Sequence, residues 1–190
     1  MKRADHTELK GLPKSCWMGT LKWDEELANM AEYYGLSCML IDGSCQKTEN
    51  YPEVARSVEI SFNITNPEEF HPSETLTEMF GTWLESFNNA PNVANLVSNY
   101  ENGSWYKGTQ IVWAETTRIG CAMTKQYRPK ERLLNEVLIC NYADPGNIEG
   151  SQIYETDCSK PPPEEDDRSM GCLVKRTTAL IVVLVSLFAT

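Results

Sequence analysis

The sequence predicts an α+β fold, an α-β-α sandwich in which a central antiparallel sheet lies between two helical layers. Two segments carry apolar residues at helical spacing, and a further pair carries strand patterns on either side of a polar turn. A length of 190 residues and a hydrophobic content of 41% are typical of one domain with a core and tails.

Two amphipathic helices are predicted. The first covers residues 21–34, where Asp24 is a natural N-cap and Gly35 a plausible stop. The second covers residues 72–87, with Ser73 as its cap. Apolar side chains form one face of each helix, and we expect both faces to pack in the core rather than hold a ligand.

The strand patterns predict an antiparallel hairpin of residues 118–127 and 133–142 around a polar turn. In the register that this turn sets, Cys121 lies opposite Cys140, close enough for a disulfide without backbone movement. Residues 57–62 also alternate, and they form either a short strand or an extended loop.

The chain is acidic, with a formal net charge of −10 and a sequence pI near 4.7. Nucleic-acid binding needs a basic face to neutralise phosphates, and a membrane-binding patch needs clustered Lys and Arg. The charge therefore argues against both partners. Its simplest consequence is solubility.

Seven cysteines are spread along the chain without any Cys-x-x-Cys pair. This spacing favours disulfides in an oxidising compartment over a metal site, and the odd number leaves one thiol free or paired elsewhere. Two sequons predict glycosylation at Asn63 and Asn102, which agrees with an extracellular location. A cytosolic protein with reduced thiols is the alternative.

A proline-rich acidic stretch ends the predicted domain. Residues 159–168 contain three consecutive prolines followed by four acidic residues, a composition that cannot continue a packed element. We therefore expect the domain to cover residues 11–158 and the acidic stretch to be a stiff, solvated linker.

Residues 169–190 form a C-terminal hydrophobic tail. Its apolar run covers residues 179–190, which is shorter than the roughly 20 residues needed to cross a bilayer. A short apolar tail behind small residues and a polar spacer fits a GPI-attachment signal, with Ser169 or Gly171 in the attachment region. A short tail anchor and a buried helix are the alternatives.

Two blocks of the chain carry a family resemblance. Residues 108–113, Gly-Thr-Gln-Ile-Val-Trp, together with residues 119–122, resemble the first signature of the CAP superfamily. Residues 140–147, Cys-Asn-Tyr-Ala-Asp-Pro-Gly-Asn, resemble its second signature. This superfamily comprises cysteine-rich secretory proteins, venom antigens and plant pathogenesis-related proteins. The resemblance covers residues 12–158 and implies the CAP form of the α-β-α sandwich.

The N-terminus departs from what the resemblance implies. CAP proteins usually carry a first helix before the point where this similarity begins, and residues 1–10 contain no apolar run that could serve as a signal peptide. We therefore expect the chain to be N-terminally incomplete, with residues 1–10 as a leader remnant.

CAP domains usually contain a cleft lined by two histidines and two glutamates, sometimes with a divalent metal. The resemblance places these four positions at Asp42, Glu49, Ser86 and Lys107, so that only Glu49 keeps the family's residue type. A protonated lysine has no lone pair for a metal, and we expect Lys107 to form an ion pair with Glu49. The usual metal site is then lost, and no cofactor is predicted.

Two other roles for the cleft remain open at this point. Asp42, Glu49 and Glu85 could supply a calcium site, and Glu49 with Glu85 could act as a carboxylate pair. We favour the simpler interpretation, in which Glu49 anchors a loop and Glu85 is solvated. Nucleophilic hydrolysis needs a base beside a nucleophile, and no such pair can be assigned, so no catalytic residue is predicted.

The resemblance implies a non-enzymatic binding protein of the venom-allergen type, secreted or tethered to the cell surface by a GPI anchor. Its implied partners are a sterol or another lipid in an apolar groove, or host or receptor proteins on the outer surface. A metal-dependent hydrolase that uses the Glu49 cleft is one alternative. A purely structural surface glycoprotein is the other.

Overall fold

The computed structural model describes residues 12–37, 46–63, 72–128, 130 and 133–161. These residues form a four-stranded sheet with helices on both faces, which confirms the α-β-α sandwich. The elements in chain order are β1 (Lys22–Trp23), α1 (Glu25–Leu36), β2 (Ala55–Asn63), α2 (Pro72–Glu85), α3 (Val93–Ser98), α4 (Tyr106–Ile111), β3 (Arg118–Arg128) and β4 (Leu133–Ala143). A 3-10 turn, Ser86–Asn89, follows α2.

The sheet has the strand order β1-β3-β4-β2. Both β2 and β3 pair antiparallel to β4, whereas β1 pairs parallel to β3, so the sheet is mixed rather than purely antiparallel. A parallel pair needs a long crossover between its strands, and the chain from α1 to α4 provides one. Strand β1 was not predicted because its two residues are too few to show the alternating pattern of a strand in the sequence.

Strand β4 is buried on both of its faces. Leu138, Cys140 and Tyr142 pack in the cluster formed with α2, α3 and α4. The alternate residues Val137 and Ile139 pack against α1 on the other face. This two-sided burial explains why residues 137–140 form a continuous apolar run instead of an alternating one.

Helix α1 begins at its predicted cap. The Asp24 carboxylate accepts hydrogen bonds from the backbone N–H groups of Glu26 and Leu27, at 3.0 and 3.1 Å. Its second oxygen accepts from the Tyr51 hydroxyl at 2.5 Å and pairs with Arg118 at 3.3 Å. Burial, together with the hydrogen bond to Asp24, raises the pKa of Tyr51 to about 12. One carboxylate thus joins the helix start to the loop before β2 and to β3.

Two predicted helix ends are wrong by small margins. Helix α1 runs through Gly35 to Leu36, and a Cβ at Gly35 would overlap the side chains of Thr124 and Ile139. The glycine therefore permits close helix–sheet packing and does not end the helix. Helix α2 begins at Pro72, so that Ser73 is its second residue rather than its cap.

Two disulfides link the described cysteines. Cys121 and Cys140 are directly opposed on β3 and β4 and are bonded, as the hairpin register predicts. Cys16 and Cys158 join the two ends of the described domain, a pairing that the sequence left open. The other three cysteines of the chain, Cys38, Cys45 and Cys172, lie outside the described residues.

Several predictions fall outside the described ranges. These are the leader remnant at residues 1–10, most of the acidic linker, and the hydrophobic tail at residues 169–190. Within the ranges that are described, none of the helices combines the length and apolar character needed to span a bilayer.

The contact between α1 and β3 predicts a sensitive position at Gly120. A Cβ there would overlap backbone atoms of Asp24, Leu27 and Ala28, which cannot move aside as a flexible side chain can. Gly120→Ala should lower the free energy of unfolding by about 1–3 kcal/mol, measured by urea denaturation. Gly19→Ala is the matched control because a Cβ at Gly19 would meet no atom within 4 Å. Equal stabilities for the two variants would contradict this account of the helix–strand contact.

Candidate functional site

The two signature blocks are joined by the side chain of Gln110, which is only 2% exposed. Its Nε2 donates to the Thr116 hydroxyl at 2.9 Å, and its Oε1 accepts from the backbone N–H of Gly146 at 3.0 Å. The Thr116 hydroxyl in turn donates to the carbonyl of Asp144 at 2.7 Å. The glutamine of the first block therefore holds the loop that carries the second.

A second connection runs through Asn147. The Thr109 hydroxyl donates to the Asn147 Oδ1 at 2.6 Å, and the Asn147 Nδ2 donates to the Tyr106 carbonyl at 2.7 Å. Asn147 has φ of 60°, the left-handed region that asparagine tolerates better than most residues. Beside it, a Cβ at Gly146 would overlap the ring of Trp113. The residues of the two signature blocks thus form a network of contacts, the signature scaffold, that holds α4 in place.

Helix α4 forms one wall of a cleft of about 620 Å³, whose other walls are β2, α2 and the 3-10 turn. The residues that line this cleft are Glu59, Thr82, Trp83, Glu85, Ser86, Asn88, Asn89, Ser104, Tyr106 and Lys107. Polar side chains predominate, and the exposed aromatic surface comes from Tyr106, because Trp83 is only 1% exposed.

The central polar contact of the cleft is the ion pair between Lys107 and Glu59. The Lys107 Nζ lies 2.8 Å from the Glu59 Oε2, and the same oxygen accepts from the Trp83 Nε1 at 2.6 Å. The ammonium also lies 5.8 Å from the centre of the Tyr106 ring and 5.9 Å from that of Trp83, within the range of cation–π attraction. Three partners therefore hold the ammonium in place.

The predicted ion pair of Lys107 with Glu49 is wrong, because Glu59 takes the place of Glu49. Glu49 is exposed in the loop before β2, and its neighbour Asn50 donates to Glu26 of α1 at 2.7 Å. This loop is held against α1 on the other face of the sheet, away from the cleft. Asp42 lies outside the described residues.

Ser86 does line the cleft with Lys107, as the resemblance implies, and Glu85 lies beside it. The Ser86 hydroxyl donates to the carbonyl of Trp83 at 2.5 Å, which satisfies a backbone acceptor at the end of α2. This serine therefore contributes to the helix end. Of the four positions that the resemblance places in the cleft, the structure brings together Ser86 and Lys107.

Sequence reasoning missed Glu59, although a signal for it was present. In an alternating strand, residues of the same parity share a face, so Ser57 and Glu59 both point toward α2. A glutamate on a buried strand face requires a cationic or hydrogen-bonding partner. Lys107, the basic residue directly before Gly108 of the first signature block, was available for that role.

A second concavity, of about 620 Å³, runs along α1 on the opposite face of the sheet. It is lined by Glu26, Asn29, Met30, Tyr33, Tyr34, Ser37, Lys47, Thr48 and Arg56. We call it the α1 groove. The Arg56 guanidinium stacks 4.0 Å above the Tyr34 ring, and its Nε donates to the Asn141 Oδ1 at 2.8 Å. The groove thus combines the aromatic and thioether side chains of α1 with a guanidinium held by two contacts, and its lining also contains the charged Glu26 and Lys47.

The two predicted glycosylation positions lie in different elements of the fold. Asn102 is exposed in the turn before α4, where its Oδ1 accepts from the Tyr100 hydroxyl at 3.3 Å. Asn63 is the last residue of β2.

Metal ligands are not clustered in this structure: among the residues that it describes, no group of three or more His, Cys, Asp or Glu side chains could hold a metal ion. Both histidines, His6 and His71, lie outside them.

The buried Gln110 amide predicts a large effect of its removal. Gln110→Ala leaves the Gly146 N–H without its acceptor, removes the amide donor to the Thr116 hydroxyl and creates a cavity. We expect a loss of about 1–3 kcal/mol in the free energy of unfolding, measured by urea denaturation. Gln46→Ala is the control, because Gln46 is exposed, and it should change stability by less than about 0.5 kcal/mol. Matching losses in both variants would show that this amide does not hold the signature blocks together.

Comparison with known proteins places this fold in a family. The model of the cysteine-rich secretory protein family, CAP, matches residues 14–142. Venom allergen 5 of Vespula vidua is 33% identical over 138 residues, which cover 73% of this chain and 63% of that protein. Venom allergen 3 of Solenopsis invicta is 29% identical over 148 residues, which cover 75% of this chain and 59% of that protein. The chain thus spans less than two thirds of the length of these two relatives.

Solved structures agree on the fold. Venom allergen-like protein 4 of Schistosoma mansoni superposes with a TM-score of 0.55 at 22% identity, covering 77% of this chain and 81% of that one. The structure of NaASP2 with Zn²⁺ gives a TM-score of 0.57 at 19% identity, covering 77% and 73%. The signature scaffold, the hairpin disulfide and these matches lead to one conclusion: the chain belongs to the cysteine-rich secretory protein (CAP) family.

Proposed function

We propose that this protein is a non-enzymatic extracellular binding protein of the venom-allergen type, and that its ligand is a sterol or a similar lipid held in the α1 groove. The observation that carries this proposal is the composition of the groove. Aromatic and thioether side chains of α1 contribute to its lining, together with an arginine that Tyr34 and Asn141 hold in place. A sterol has the matching form, a rigid apolar body with one polar group.

The arginine of the α1 groove is anchored from the core. Arg56 donates to Asn141, and the fully buried Asn141 donates through its Nδ2 to the Leu27 carbonyl at 3.0 Å. The stacking of Arg56 on Tyr34 fixes the guanidinium further. A preorganised donor costs a ligand less entropy on binding than a mobile one does.

The cleft on the other face supports the non-enzymatic part of the proposal. Lys107 is engaged by Glu59, and the Ser86 hydroxyl is engaged by the Trp83 carbonyl. Ser104 also lines the cleft, but nucleophilic catalysis needs a base beside the nucleophile, and the lining residues include no histidine. The metal-dependent hydrolase remains the competing hypothesis, and a rise in melting temperature on adding zinc would favour it, because a ligand that prefers the folded state stabilises it.

A protein partner is a second candidate, and two exposed side chains favour it. Tyr33 is 76% exposed and Leu36 is 62% exposed, and both lie on α1. Exposed aromatic and aliphatic side chains near one another are typical of interaction surfaces. A host or receptor protein would then cover the outer rim of α1.

The extracellular part of the proposal is supported by the two disulfides, Cys16–Cys158 and Cys121–Cys140, which persist in oxidising compartments. Glycosylation at Asn63 and Asn102 and removal of residues 169–190 by GPI attachment belong to the same proposal. The exposure of Asn102 supports its accessibility to a glycosyltransferase.

Lipid binding can be tested with dehydroergosterol, a fluorescent sterol. Tyr33→Ala removes an aromatic wall of the α1 groove, and we expect the Kd to rise roughly tenfold because apolar contact with the ring is lost. Tyr106→Ala, which alters a partly exposed tyrosine on the opposite face of the sheet, should leave the Kd unchanged. Absence of sterol binding by the unmodified chain, or equal effects of the two variants, would overturn the assignment of the groove.

The proposed location can be tested by mass mapping of the chain expressed behind a heterologous secretory leader in a eukaryotic host. We expect glycans on Asn63 and Asn102 and loss of the sequence after the Ser169–Gly171 region, with release of the surface protein by a phosphatidylinositol-specific phospholipase. The same non-reducing digest should contain the peptide that joins Cys121 to Cys140. Material that stays at the surface after phospholipase treatment with residues 179–190 intact would favour a tail anchor instead.

A further inference from the structure

We infer that the cleft between β2, α2 and α4 is a binding site for a neutral saccharide. This cleft is distinct from the α1 groove, because Glu59, Trp83 and Lys107 lie on the face of the sheet that carries α2 and α4. Its volume of about 620 Å³ is within the range of roughly 300–1,000 Å³ that small-molecule sites occupy.

The aromatic surface of the cleft suits a pyranose ring. Tyr106 is 39% exposed at the first position of α4, and Trp83 is buried beneath Lys107. One face of a pyranose consists of C–H groups, which pack against an exposed aromatic face, while its hydroxyl groups remain available for hydrogen bonds. Tyr106 thus offers the apolar platform of the site.

The polar side chains of the cleft match hydroxyl groups, each of which can both donate and accept. Asn88 and Asn89 are exposed at the end of the 3-10 turn, and an amide supplies both kinds of group. The Glu59 ion pair engages one of the three N–H donors that an ammonium such as Lys107 carries. Donors and acceptors therefore stand side by side around Tyr106.

The charge of the cleft selects against other ligands. Glu59 and Glu85 carry two negative charges against the one positive charge of Lys107, so phosphate, sulfate and carboxylate groups are disfavoured. A sterol body would remove the Asn and Glu side chains from water without hydrogen-bond partners, which is costly. A neutral polyhydroxylated ligand avoids both costs.

The Trp83 indole gives this site its own spectroscopic reporter, because its Nε1–H donates to Glu59 within the cleft. The experiment titrates the full ¹⁵N-labelled chain, made in an oxidising bacterial host without glycans, with maltotriose, tri-N-acetylchitotriose and mannotriose. We expect at least one of them to shift the indole resonance saturably. Failure of all three to shift it at about 10 mM would overturn the inference.

Two variants locate the binding. Tyr106→Ala should raise the saccharide Kd at least fivefold, and so should the double variant Asn88→Ala with Asn89→Ala, which alters only exposed side chains. Tyr33→Ala, on the other face, should leave the Kd unchanged. Equal effects of Tyr106→Ala and Tyr33→Ala would overturn the assignment to this cleft, and tighter binding of a heparin-derived hexasaccharide would overturn its neutral character. Sterol binding is measured separately with Tyr33→Ala, so each proposal can fail without the other.

Discussion

The buried amide of Gln110 is the interaction on which the arrangement of this protein depends. It lies in a core from which water is excluded, and it joins α4 to the loop after β4 through Thr116 and Gly146. A buried amide whose partners are removed pays the full cost of its desolvation, so this loop and α4 are stable only together. The position of α4 then fixes Tyr106 and Lys107 with respect to Glu59, and with them the cleft.

Strand β4 connects the helices on the cleft side of the sheet to α1 on the other side. Its side chains alternate between the cluster of α2–α4 and the contact with α1, and its Asn141 is fully buried on the α1 side. That asparagine donates to α1 and accepts from Arg56, so the same strand that supports the cleft also fixes the arginine of the α1 groove. The cleft and the α1 groove, which lie on opposite faces of the sheet, are thereby both supported by one central strand.

The sequence was sufficient where a local rule determined the structure. Asp24 caps α1 because a carboxylate directly before an amphipathic helix can accept from the free N–H groups of its first turn, and the position of the polar turn after β3 predicted the register that opposes Cys121 to Cys140. It was insufficient where tertiary packing decided. Gly35 lies inside α1 because Thr124 and Ile139 approach it, and the choice of Glu59 over Glu49 depends on which sheet face each one reaches. Neither fact is encoded within a few residues.

The Cys16–Cys158 bond has a mechanical consequence. It joins two cysteines that are 142 positions apart in the sequence, and the Trp17 Nε1–H reinforces the junction by donating to the Lys160 carbonyl at 3.1 Å. Tension applied between the segments that precede Cys16 and follow Cys158 would pass through this covalent link and bypass the strands. The hydrogen-bonded ladder would then carry almost none of the pulling force, and the domain would resist stretching for as long as the sulfurs stay oxidised.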